Sequence, residues 1–482
     1  MAISRRYQRS SKTGSRHDWL PTAVSGPLVQ SGNFYLLIIL LGACAFGGGS
    51  SFANVTSLLY VRPIAAVCLV GAILIPRPSE WRMFRMPLIM LCLFALLMVV
   101  QLIPLPPSIW TVLPGREPYI ELARLSGINQ PWRPISLTPD LTMNSLVSLI
   151  VPAAILAGFV KLRPDQRRFL IVAVVTLCCA SAALGVAQFA GGERSVLYWY
   201  QRTYPGFPVG FLSNRNHQAV LLALAFPALR VWTLGFAESR ALAQRRQWLA
   251  LGLGILLVPI ILATGSRAGM AVTILSLGAT FTLFGKPHGL RAEGMKASHL
   301  RILAWFGGAV ILLGLVMLTY IFGRAASIDR LASLGTMQEN QRFLYAPMVV
   351  HIISDMFPIG AGFGSFDPVF RQYEPDGILR SSYFNHAHNE LLELALMSGA
   401  AGLILLAGFI SWWAVRIVGT LRDTDSSTER HMARLGGAII AFVLLASLVD
   451  YPLRAPLMAA VFTIACCWLC ERPTVESLRK VA

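Results

Sequence analysis

Two histidines, His386 and His388, stand two residues apart in the run Asn385-His386-Ala387-His388-Asn389-Glu390. An unperturbed imidazole titrates near ~6.5, so part of the population is neutral at working pH and can take a proton from a hydroxyl. That makes His388 the candidate acid–base group. In an extended segment the rings of His386 and His388 would face the same side, and Glu390 or Asn389 could fix the tautomer of the His388 ring. Simpler roles compete. His388 could be a polar residue at a helix mouth. Asn389 could cap the following helix, with Glu390 and Glu393 in its first turns against the positive dipole end. Metal binding by His386 and His388 is a weaker reading, because two ligands are too few and no Cys or Asp partner set lies nearby.

The second chemistry-bearing group is cationic. Arg267 sits in the tight junction Gly265-Ser266-Arg267 between two apolar runs. A guanidinium there could snorkel to lipid phosphate or bind a substrate anion through two parallel hydrogen bonds, with the free N–H groups of the next helix pointing the same way. Arg215 lies between Asn214 and Asn216, just before another helix, with His217 following. It reads either as incidental charge at a helix cap or as a second clamp on the same anion, since a pyrophosphate carries enough charge to need more than one arginine. Arg202 is surrounded by Tyr198, Trp199, Tyr200 and Tyr204, which suits an interfacial aromatic belt or stacking against sugar rings. His388, Arg267 and Arg215 are therefore the catalytic candidates. Arg202, His217, Arg342, His386, Asn389 and Glu390 are the candidates for substrate contact.

The elements that must position these groups are membrane helices. The 482 residues are 55% hydrophobic and 13% charged, with mean hydropathy +0.61. Continuous apolar runs near the ~20 residues a helix needs to cross a bilayer argue for an all-α polytopic membrane protein rather than a β-barrel. About twelve transmembrane helices are expected, at Phe34–Gly49, Thr56–Ile75 (interrupted by Arg62-Pro63), Met86–Ile103, Leu141–Val160, Phe169–Phe189, Gln218–Gly235, Trp248–Thr264, Ala268–Phe284, Ile302–Phe322, Leu391–Trp413, Leu435–Leu448 and Leu457–Leu469. The short loops on the N-terminal side carry roughly twice as many Lys and Arg as the longer segments opposite. This places both termini in the cytoplasm.

Four parts follow: a cytoplasmic tail 1–33, one transmembrane domain 34–470, a large periplasmic loop 323–390 between the ninth and tenth spans, and a cytoplasmic tail 471–482. The histidine run then closes the loop outside the cytoplasm, where it meets the tenth span.

Several other readings bound the function. The net charge of +18 is spread over many short loops, as topology requires, so no nucleic-acid partner is expected. The eight cysteines all lie in apolar runs and read as small buried hydrophobes, Cys467 and Cys470 included. Residues 105–140, rich in Pro and aromatics, read as an irregular loop or an interfacial cap. The run Pro358-Ile359-Gly360-Ala361-Gly362-Phe363-Gly364 either lets backbone approach a substrate or makes a tight corner, and it lacks the context of a nucleotide-binding loop. Phe343–Phe357 reads as an amphipathic helix on the membrane, with His351 in a packing role. ATP is scarce outside the cytoplasm, so energy for bond formation must arrive in an activated, membrane-held substrate. A lipid-linked pyrophosphate sugar fits.

Four stretches carry a family resemblance: Leu212–Pro227 (LSNRNHQAVLLALAFP), Ala263–Val272 (ATGSRAGMAV), Gln341–Phe366 (QRFLYAPMVVHIISDMFPIGAGFGSF) and Asn385–Leu406 (NHAHNELLELALMSGAAGLILL). Together they resemble the O-antigen ligase and Wzy-type polymerase superfamily of bacterial envelope enzymes, over roughly residues 169–462. The resemblance implies a metal-independent, inverting inner-membrane glycosyltransferase that needs no cofactor. It implies movement of glycans from undecaprenyl pyrophosphate to an acceptor hydroxyl, with membrane lipids and a glycan or lipid A–core acceptor as partners. Arginines would hold the pyrophosphate, and the loop histidine would activate or position the acceptor. His388 matches the motif histidine and Arg267 the arginine of the Gly-Ser-Arg turn. Arg215 is a looser match, because the family often has another residue between the two asparagines.

The larger protein-glycosylating relatives carry extra C-terminal sequence, so the short tail here argues against that subgroup. Within the family the reading leans to surface-polysaccharide polymerisation, with ligation of finished O-antigen to lipid A–core as the alternative. A transporter of lipid-linked oligosaccharides is the rival from another class, but it should show related halves or broken midplane helices.

Overall fold

The computed structural model describes residues 27–76, 80–235, 240–284, 345–374, 384–423 and 427–472. The expected span Ile302–Phe322, the first part of the loop, and with it Arg342, lie outside the described residues, as do most of both tails.

The chain is built from helices: α1 (Pro27–Gly47), α2 (Leu58–Leu74), α3 (Arg85–Gln101), α4 (Pro107–Trp110), α5 (Glu117–Leu125), α6 (Pro139–Ser148), α7 (Ile150–Val160), α8 (Pro164–Ala190), α9 (Arg215–Ala223), α10 (Ala225–Leu234), α11 (Arg240–Ala263) and α12 (Arg267–Thr282). There follow α13 over 345–356, then α14 (Phe366–Tyr373), α15 (Glu390–Arg422), α16 (Thr428–Ser447) and α17 (Pro456–Cys470). Every expected span within the described residues coincides with one of these helices or with a consecutive pair. Six are long and apolar enough to cross a membrane: Pro139–Val160, Pro164–Ala190, Arg215–Leu234, Ala241–Ala263, Glu390–Arg422 and Thr428–Ser447. Four more are apolar but shorter. Pro63 does not break α2: the helix runs on through it without the one backbone bond that an N–H here would give to Leu59, and Arg62 donates to the Asn144 carbonyl (3.3 Å).

The main core is formed where α1, α2, α7, α8, α9, α10, α16 and α17 meet, and it holds residues such as Phe159, Leu222, Ile439 and Trp468. The paired helices α9 and α10 are buried over nearly their whole length. A helix enclosed on all sides reads as apolar all round, as residues 219–229 do.

A second, smaller core lies around the end of the loop. Tyr345, Ile352 and Met356 of α13 and Phe366, Val369 and Phe370 of α14 gather against Leu396 and Met397 of α15. His351 is not packed into it: its side chain is 68% exposed and faces Asp355, because α13 turns its apolar stripe inward and leaves this position on the outer face.

The glycine run makes a corner against α15. That helix is interrupted at Gly399 (φ 55°, ψ −141°). Ala361 and Gly362 N–H groups donate to the Leu396 and Met397 carbonyls, each at 2.9 Å, and Ala400 N–H donates to the Pro358 carbonyl at 2.9 Å. The Gln101 side chain adds a bond to the Met397 carbonyl (2.9 Å). A broken helix leaves backbone groups that must find partners in a membrane setting, and the run supplies them. Any side chain at Gly399 would stand 2.0 Å from the Pro358 oxygen.

The cap is locked to the same corner. Strand β1 (Pro104–Leu105) pairs antiparallel with β2 (Arg133–Pro134). Buried Arg116 donates to the carbonyls of Ile135 (2.7 Å) and Gly360 (3.3 Å).

Candidate active site

The two arginines predicted to hold an anion stand at the first residues of neighbouring helices. Asn214 caps α9 by accepting from Asn216 N–H (2.8 Å). Ser266 caps α12 by accepting from Gly269 N–H (2.9 Å). The helices run side by side in the same direction: Gly269 lies so near Ala219 that an added Cβ would be 2.2 Å away, and about two turns further along α12 and one along α9 Ser276 donates to the Ala223 carbonyl (2.6 Å). Arg215 also donates across to Thr264, at the end of α11 (3.5 Å). Arg215 and Arg267 thus occupy adjacent N-terminal ends. A cation at the positive end of a helix dipole is unfavourable by roughly 0.3–1 kcal/mol, and two of them side by side create a strongly electropositive surface. Arg267 is exposed. Arg215 lies over the rings of Phe207 and Tyr204, 4.7 and 5.7 Å from their centroids.

The loop leading into α9 is pinned from beneath by α8. Gln188 binds both the N–H and the carbonyl of Gly210 (2.7 and 2.9 Å), and Ser181 accepts from Phe211 N–H (3.1 Å). Arg202 lies in the same loop, with its guanidinium 4.9 Å from the centre of the Phe52 ring.

A carboxylate joins this cationic end to the histidine run. Asp450 follows α16 and is buried. Its Oδ2 accepts from Asn216 Nδ2 (2.7 Å). Its Oδ1 accepts from Tyr451 N–H (3.0 Å) and lies 3.5 Å from His388 Nδ1 and 3.7 Å from His217 Nε2. Burial alone would push the Asp450 carboxyl up, but His217 and His388 outweigh it and hold the group well below the usual carboxylate range. Asp450 therefore carries charge that can orient and stabilise a protonated imidazole.

His386 has a different carboxylate. Its Nδ1 is 2.9 Å from Glu393 Oε1, one turn into α15. Arg454, in the single 3-10 turn Pro452–Arg454, reaches Glu393 (3.1 Å) and Glu390 (3.3 Å). Tyr451 stands between the imidazoles, with its ring centre 4.3 Å from that of His386, 4.9 Å from His388 and 5.4 Å from His217. His388 itself has φ +50°, a conformation that strains most non-glycine residues by about 1–3 kcal/mol.

The sequence-predicted residues sort as follows. Both rings of His386 and His388 do face one side, toward Tyr451. Arg215 and Arg267 are brought together. Asn389 caps α15, accepting from Leu391 and Leu392 N–H, Glu390 is drawn to Arg454, and Nδ1 of His388 faces Asp450 at 3.5 Å. His217 is 1% exposed and sits behind Asp450 rather than on a substrate surface. Asp450, Tyr451, Glu393 and Arg454 were not among the residues singled out as site candidates. A signal for Asp450 existed, since an acid at the end of an apolar run is costly unless it has a partner or a task. Among the described residues, no group of three His, Cys, Asp or Glu side chains converges as a metal-ligand set.

Residues 251–407 match the Wzy_C family model, described as O-antigen ligase. The match supports the O-antigen ligase and Wzy-type superfamily. It includes the Arg267 turn, the glycine corner and the histidine run, and it leaves Arg215 and Asp450 outside. No curated protein matches the chain. With its apolar helices, the chain is an integral membrane protein, and about a third of it is similar to the O-antigen ligase family.

Proposed function

We propose that the chain transfers or polymerises undecaprenyl-pyrophosphate-linked glycans onto an acceptor sugar hydroxyl, at the periplasmic face of the bacterial inner membrane, in surface-polysaccharide synthesis. Both termini are assigned to the cytoplasm and about twelve spans to the membrane. The observation that carries the reading is the meeting of Arg215 and Arg267, at two parallel helix ends, with the Asp450–His388 pair joined to the same end through Asn216.

Each group has a task in an inverting transfer. Arg267 and Arg215 take the pyrophosphate, whose charge grows as the anomeric C–O bond breaks. A preorganised contact of this type is worth about 3–4 kcal/mol in the transition state. The acceptor oxygen attacks the anomeric carbon and its proton passes to His388. The C–O electron pair leaves with undecaprenyl pyrophosphate. Asp450 holds Nδ1 of His388, which directs the other ring nitrogen to the acceptor and stabilises the imidazolium. No metal or cofactor is assigned a role.

Purified protein in nanodiscs, given undecaprenyl-pyrophosphate repeat unit with and without lipid A–core, tests the reading. Ladders from donor alone identify a polymerase, the form favoured here. Product only with core identifies a ligase. Absence of product, with donor crossing liposomes intact, overturns both.

A further inference from the structure

Among the described residues, His388 is the only one other than glycine with a positive φ. Something must hold its backbone there. The residues on either side are fixed by two groups of α15. Glu393 is completely buried, and its two oxygens are divided: Oε1 faces His386 Nδ1 (2.9 Å) and Oε2 accepts from Ala387 N–H (3.3 Å). On the other side Asn389 caps the helix. A buried carboxylate is costly unless paired, and Arg454 supplies the charge at 3.1 Å while also holding Glu390. Arg454 is only four residues beyond Asp450, so one short corner carries both the carboxylate that faces His388 and the cation that steadies its clamp.

We infer that Glu393, held by Arg454, is a positioning residue that fixes the strained backbone at His388 and so aims its ring at Asp450. The inference rests on the assignment of His388 as the acid–base group. Glu393 touches no reacting atom. Its effect passes through His386, Ala387 and the ring of Tyr451, which both histidines face.

Glu393→Gln tests this with little change in volume. One oxygen becomes an NH2 group, which must then point at the His386 nitrogen or at the Ala387 N–H. The expected result is a fall in kcat of about 10–100-fold, the scale of a misplacement of the reacting group by an ångström or less. KM for the lipid-linked donor should be unchanged, because Arg215 and Arg267 are untouched; the melting temperature should fall, since Arg454 keeps only Glu390, so kcat is measured per folded protein. One guanidinium nitrogen, Nη2, meets both carboxylates, so Arg454→Lys, which keeps one charged nitrogen, should retain more kcat than Arg454→Met.

A second readout does not depend on turnover. In 15N-histidine spectra assigned with H386N and H388N, Glu393→Gln should move the His388 signals as well as those of His386. Movement of His386 alone overturns the inference. So does wild-type kcat in Glu393→Gln, or a kcat loss that merely tracks the loss of folded protein. His388→Ala separates the two claims: if it transfers glycan normally, the acid–base assignment fails, whereas an inactive His388→Ala beside a fully active Glu393→Gln removes only the clamp.

Discussion

Buried charge gathers at both ends of this helix bundle, and the two gatherings are built differently. At the start of α8, Arg167 meets Glu80 (2.9 Å) and Glu471 (3.3 Å), lies over the rings of Phe84 and Phe159, and has its carbonyl bound by the Trp468 indole. Arg168 pairs with Glu429. Each cation there is matched by a carboxylate, and Arg167 is also enclosed by aromatic faces. At the other end of the same helices, the Asp450 carboxylate faces two imidazoles and an asparagine, while Arg215 and Arg267 stand at positive helix ends, Arg267 exposed. The first arrangement is closed and close to neutral. The second sets its cations at positive helix ends and opens, at Arg267, to the surface. The difference teaches that burial of charge does not mark a site by itself; charged groups presented to the outside of the fold do.

Substitutions can break the comparison. The largest effects should be on turnover at the open end. Arg267→Ala should lower kcat about 10²–10³-fold and His388→Ala about 10²–10⁴-fold, both with little change in melting temperature. Glycan transfer and thermal unfolding of the same purified samples measure this. At the closed end the pattern should invert. Arg167→Met leaves Glu471 buried without its partner and should cost about 3–5 kcal/mol of stability, while the folded fraction transfers glycan at the wild-type rate. Equal loss of turnover in Arg167→Met would erase the distinction.

The pH dependence should sharpen it. Burial raises the Glu471 carboxyl from 4.5 to about 7, and Arg167 only partly opposes the rise. Because the folded-state value is the higher one, its contribution is complete below 4.5 and disappears as pH rises through about 7. Asp450 is depressed instead, so its contribution is present above 3.8 and is lost only in stronger acid. Melting temperatures from pH 4 to 8 should therefore fall less steeply in Glu471→Gln than in wild type. The smallest effect belongs to an exposed pair: Arg163→Ala, which frees Asp165 at the surface, should leave turnover unchanged and barely shift the melting temperature.

Much of the fold was legible because apolar length is a local property. α8, α15 and α16 announce themselves as long apolar runs, and the caps at Asn214, Ser266 and Asn389 follow from side chains that reach N–H groups two or three residues on. The site was only half legible. His388 and Arg267 could be found as polar groups at helix mouths. Their partners could not, because Asp450 meets Asn216 across 234 residues and no spacing rule encodes a contact between helices.

The glycine run shows the same limit. Its composition announced a corner or a substrate cradle, and the choice depended on the broken turn at Gly399, to which it supplies hydrogen bonds. Sequence by itself determined the helices, their caps and the chemical character of the two arginines and two histidines, since each depends on hydrophobicity or on neighbours a turn away. Tertiary structure alone decided which carboxylate each histidine faces, that Arg215 and Arg267 share one helix end, and that Glu393 and Arg454 stand behind the strained backbone, because those relations arise only when distant helices are packed side by side.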